Sequence, residues 1–101
     1  MRVLLVVHGF VQGVGYRAFV RGAAGRCGIK GAVWNSGDGS VRIIADGSPE
    51  ALAAFRNEID VDTVSGPQVR RIEQFSEDDD EFPEESRSGI MDYQGFAVER
   101  G

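Results

Sequence analysis

The sequence predicts an α+β fold, a ferredoxin-like βαββαβ sandwich: an antiparallel-rich sheet, two helices on one face, and an extra C-terminal strand. Three observations predict it. Apolar β-branched runs alternate with a stretch of helical spacing along 101 residues, a length that suits one domain. The turn-rich "NSGDGS" separates two adjacent strand-like runs, as in a hairpin. "SPE" at 48 to 50 then opens a second helix, and strand-like runs follow it.

Each element has its own signal. Val3-Leu4-Leu5-Val6-Val7 is apolar throughout, which suits a central strand buried on both faces. From Tyr16 the period changes. Tyr16, Phe19, Val20, Ala23, Ala24 and Cys27 keep to one helical face, and Gly28 supplies the stop. Ala32 to Trp34 and Val41 to Ala45 form the hairpin arms. Ser48 then caps the second helix, with Pro49 at its first position and Leu52, Phe55 and Ile59 as its buried stripe. Val69 to Phe75 reads as a weaker strand, and Phe96 and Val98 mark a last short one. One domain over 1–101 is expected, with 76–92 as an acidic loop insertion. In this topology the first two long strands are parallel and end at the same sheet edge. The segment after the first strand and Asn35 after the second must therefore lie near each other.

Charge points to the same edge. The net charge is −5, yet residues 1 to 45 hold six basic side chains against the single acid Asp38. Seven acids crowd into Glu77 to Glu85, where mutual repulsion predicts a solvated, mobile loop with only Phe82 as an anchor. Replacing that segment with a short linker is therefore expected to leave the fold intact. A basic front half suits a small anionic partner. The first apolar run is too short for a membrane span or a signal peptide. The expectation is a cytoplasmic monomer without membrane or nucleic-acid partners. A single cysteine excludes an internal disulfide and a multi-cysteine zinc site.

"HGFVQGVGYR" at 8 to 17 carries Gly9, Gly13 and Gly15 between the first strand and the first helix. A tight turn needing positive φ explains some of them. Gly13 to Ala18 also fits G-x-G-x-x-A. However, no acid closes the second strand to hold a ribose, and the Lys-Ser/Thr pair of a Walker A loop is missing. A third reading keeps the physics of those loops without the nucleotide. Backbone N–H groups of Gln12, Gly13, Val14, Gly15, Tyr16 and Arg17 at a helix N-terminus form a concave anion site. Arg17 adds a bidentate fork for a phosphoryl group.

"GFVQGVGYR" followed by "GAVWN" and "DGSV" resembles the acylphosphatase family, whose pattern is G-R-V-Q-G-V-G-F-R, then G-x-V-x-N, then D-G-x-V. The resemblance covers residues 3 to 59 well and the rest loosely. It implies metal-independent hydrolysis of acyl phosphates, without cofactor or covalent intermediate, and its catalytic pair falls on Arg17 and Asn35. Phe10 stands where the pattern has Arg, Ala32 where it has Trp, and Trp34 at a position that is usually polar. In the chemistry this implies, the loop amides and Arg17 hold the phosphoryl oxygens. The Asn35 carbonyl orients the attacking water.

Other conspicuous residues have structural explanations. His8 reads as a hydrogen-bonded strand residue, Cys27 as helix core, and Arg21 as a contributor to local potential. The alternatives to an acylphosphatase are a carbamoyl-phosphate-handling module and a non-catalytic ferredoxin-like module binding anions or RNA. The first occurs in larger proteins with Cys-rich zinc fingers, whereas this chain has one Cys and is expected to stand alone. The second lacks sheet aromatics of the RNA-recognition type.

Overall fold

A strand that is apolar on both faces belongs inside a sheet, and β1 (Arg2–Phe10) lies between β4 (Gln68–Ser76) and β3 (Val41–Asp46). The computed structural model describes residues 1–100. The sheet runs β4-β1-β3-β2-β5, with β2 (Lys30–Asn35) and β5 (Phe96–Val98) completing it. β3 pairs antiparallel with both β1 and β2, so these two are parallel, and β5 joins the far edge of β2 in parallel. The expected topology is present, extra strand included. No helix among the described residues is long and apolar enough to cross a membrane.

Helices α1 (Tyr16–Cys27) and α2 (Pro49–Ile59) cover one face. Their Tyr16, Val20, Ala23, Leu52, Phe55 and Ile59 pack on Val3, Leu5, Val7, Val33, Val41 and Ile43. Gly28 stops α1 in the left-handed region with its N–H on the Ala24 carbonyl, and the Ser48 hydroxyl caps α2 by accepting from the Ala51 N–H at 3.1 Å. Phe19, expected on the buried stripe of α1, is 36% exposed and stacks on Tyr16 from outside. Cys27 is half-buried, and its thiol donates to Glu58 Oε2 at 3.0 Å. Burial, and then that carboxylate, push the thiol pKa up, so it is a poor nucleophile.

The opposite face corrects the expectation for the acidic segment. Leu4, Val6 and Ile44 pack there against Phe82, which is 2% exposed, with Trp34, Phe75 and Tyr93 around them. Arg2 fastens the cover. Its Nε donates to Asp46 Oδ2 at 2.9 Å, and its Nη1 donates to the carbonyls of Ser86 and Met91 at 3.0 and 2.8 Å. Its guanidinium lies 5.0 Å from the Tyr93 ring centroid, a cation–π distance. The Glu77 carboxylate accepts from the Ser88 amide and hydroxyl, bonds that hold its pKa below the ordinary carboxylate value. The segment is therefore folded onto the sheet, and β4 reaches Ser76, paired with Val3. Most of its carboxylates are exposed while Phe82 alone among its large apolar residues is buried, a division that a count of acids conceals. Replacing it with a linker would strip a face of the core. Even Phe82→Leu should lower unfolding free energy by about 1–2 kcal/mol through the cavity it leaves. Denaturant titration would read this, with turnover unchanged.

Candidate active site

The three glycines of the first loop have different jobs. Gly9 lies beside a bulge between β1 and β4, with φ +137°, and a Cβ there would sit 2.2 Å from the Gln68 carbonyl oxygen. Its missing side chain admits the neighbouring strand and has no part in the loop hollow. Gly13 and Gly15 have φ of +76° and +78°, and a Cβ on either would meet nothing within 4 Å. They supply the left-handed turns that bring the chain from β1 into α1. The space in front of them is open.

Gly15 is also the N-cap of α1, and no side chain caps it. The first α-helical bond here runs from the Phe19 N–H to the Gly15 carbonyl at 3.1 Å. The N–H groups of Tyr16, Arg17 and Ala18 precede that bond, so they have no acceptor within the helix. These residues, with Gly13, Gly15, Val11, Asn35 and Val98, line a hollow of about 200 Å³. Orphan amides, the helix dipole and a guanidinium at one opening are the chemistry that suits an anion. Tyr16 anchors it from below: the ring is buried and its hydroxyl donates to the Ile59 carbonyl at 2.8 Å. Burial, then the charge of Asp60, raise the Tyr16 pKa well above its ordinary value, so the hydroxyl stays a neutral donor. Val14 packs against the helix-face core, and neither it nor the Gln12 side chain lines the hollow.

Asn35 ends β2 opposite Val41 of β3 and closes the other side of the hollow. Its Oδ1 is buried and finds no hydrogen-bond partner among the described residues. A buried carbonyl oxygen without a partner is costly by about 1–3 kcal/mol, and it leaves acceptor capacity unused at this side of the hollow. Arg17 is steadied by a contact that sequence reasoning missed: its Nη1 donates to the Glu99 carbonyl at 2.9 Å. That carbonyl follows β5, where the Glu99 N–H donates to Val33 at 2.8 Å. A main-chain acceptor leaves no residue-type signal, so nothing in the sequence pointed to it.

The remaining candidates fall elsewhere. His8 bonds Glu73 Oε1 at 2.6 Å across β1 and β4, and neither residue lines the hollow. Arg21 is exposed on α1. Among the described residues no group of three or more His, Cys, Asp or Glu side chains could hold a metal ion.

Residues 3–90 match the family model described as Acylphosphatase. A curated acylphosphatase of Actinobacillus succinogenes is 53% identical over 51 residues, which is 50% of this chain and 57% of that protein. The matches to the first such relatives span 57% to 60% of their length. The crystal structure of acylphosphatase from Bacillus subtilis superposes with a TM-score of 0.73 at 30% identity, covering 96% of both chains. The T. kodakarensis HypF structure also gives 0.73 at 25% identity, covering 100% of this chain but 12% of that much longer one.

Proposed function

The chain belongs to the acylphosphatase family, and on that premise we propose that it hydrolyses the carboxyl–phosphate bond of acyl phosphates to a carboxylate and inorganic phosphate. The observation that carries the reading is the buried, unpartnered Oδ1 of Asn35, which shares one hollow with Arg17 and the uncapped start of α1. The phosphoryl oxygens take the amides of the loop at Gln12 to Arg17 and the Arg17 guanidinium, which neutralise charge as it builds. A water held by the Asn35 carbonyl attacks phosphorus in line. The phosphorus–oxygen bond to the acyl group breaks, the carboxylate leaves with the electron pair, and the water proton passes to a phosphate oxygen. A carboxylate is a good leaving group, so positioning and charge stabilisation suffice, without a nucleophilic side chain or a metal. The unit is one domain over residues 1–101, with 76–92 as an inserted cover, acting as a cytoplasmic monomer on small molecules and not on nucleic acid or membrane.

Phosphate release from acetyl phosphate tests this. Activity should survive EDTA, because the positive charge is supplied by protein groups, and inorganic phosphate or sulfate should inhibit competitively. Loss in chelator with recovery on magnesium would contradict the mechanism. Carbamoyl phosphate turned over well while acetyl phosphate is left intact would favour the carbamoyl-phosphate reading.

A further inference from the structure

Catalysis as proposed above requires two parts on different elements to hold one spacing: the amides at the start of α1, and the Asn35 carbonyl at the end of β2. Their strands do not touch, since β3 lies between β1 and β2. Among the described residues no hydrogen bond holds the Asn35 Oδ1, so its placement depends on where the backbone carries Asn35 and on the packing around it. That backbone is a hairpin whose closing bond runs from the Ser36 N–H to the Ser40 carbonyl at 2.9 Å. One side chain crosses from the glycine loop to this hairpin. Gln12 Nε2 donates to the Ser36 carbonyl at 2.8 Å and to the Ser40 carbonyl at 3.0 Å. Both protons of one planar amide are used, on the residue after Asn35 and on the far side of the turn. Within the turn the Asp38 carboxylate accepts from the Ser40 amide at 3.0 Å, which braces the second acceptor.

We propose that the Gln12 side chain is a positioning residue, which sets the distance between the phosphate cradle and the water-orienting carbonyl of Asn35. The inference rests on the acylphosphatase reading, and it assigns to Gln12 a role separate from its backbone N–H. A bidentate tie resists both sliding and rotation of the hairpin against the loop, and a displacement of about 1 Å in a reacting group can cost about a hundredfold in rate. The phosphate itself is held on the loop side of the tie. Loosening it should harm turnover and spare phosphate binding.

Gln12→Met keeps the length and removes both donors. Gln12→Glu keeps the shape but sets a carboxylate against two carbonyl oxygens. Acetyl phosphate turnover, the inhibition constant of inorganic phosphate, and hydrogen exchange at the Ser36 amide are measured for each against the wild type. The expected result is a kcat lower by about 10- to 100-fold in Met, and lower still in Glu. In the neutral Gln12→Met variant the phosphate inhibition constant should stay within about twofold, and in both variants Ser36 exchange should be at least about tenfold faster. Phosphate affinity falling in step with kcat in Gln12→Met would overturn the proposal, because Gln12 would then shape the cradle itself. Unchanged kcat in both variants, or unchanged Ser36 exchange, would also overturn it. If the wild type releases no phosphate from acetyl phosphate, the family activity fails, while the exchange measurement still reads whether the tie exists.

Discussion

Arg17→Ala should lose both phosphate inhibition and turnover, with kcat/KM lower by about a thousandfold or more. Among the described residues the guanidinium is the one charged side chain lining the hollow, and it stands beside uncapped helix amides. Charge-assisted, bidentate contacts to phosphate are about twice as strong as neutral ones and tighten as charge develops, so ground state and transition state suffer together. Folding should be little affected. The Glu99 carbonyl loses one exposed donor, a change on the order of 1 kcal/mol or less. Arg17→Lys should recover part of the binding and less of the rate, because a point charge does not reproduce the planar fork. Steady-state kinetics with phosphate as inhibitor would check all three values.

Asn35→Ala should behave differently. Turnover should fall by about a hundredfold or more, because the attacking water loses the group that aims it, while inorganic phosphate still inhibits with a constant within about threefold of wild type. Stability offers a second sign. Removing a partnered buried acceptor would destabilise the chain, but among the described residues the Asn35 Oδ1 has no partner to lose. The variant should therefore melt at or slightly above the wild-type temperature, the usual signature of a polar group retained for activity. A clear loss of stability would show that Asn35 is part of the scaffold.

Most of this architecture is legible in the residues because local signals agree with each other. Val3 to Val7 is apolar on both faces, Gly28 stops one helix, and Ser48-Pro49 starts the other. Once the order of elements is known, a parallel β1 and β2 bring the loop after Val11 and the end of β2 to one edge. Arg17 and Asn35 meet for that reason. What escaped the sequence depends on long-range geometry. Gly9 looks like part of the loop and serves a strand contact with Gln68, visible only when β4 is in place. Phe82 looks stranded among acids and is core, because Arg2, 80 residues earlier in the chain, draws the segment down through the Ser86 and Met91 carbonyls. The Gln12 side chain gives no periodic signal, and its acceptors and that of Arg17 are main-chain carbonyls that any residue type could supply.

Direct calorimetric titration of inorganic phosphate into wild type, Arg17→Ala and Asn35→Ala at one ionic strength tests the division of labour between Arg17 and Asn35. The expected result is near wild-type affinity for Asn35→Ala, despite its lost turnover, and no measurable binding for Arg17→Ala. An Asn35→Ala protein that loses phosphate along with activity, or an Arg17→Ala protein that keeps it, would contradict the assignment.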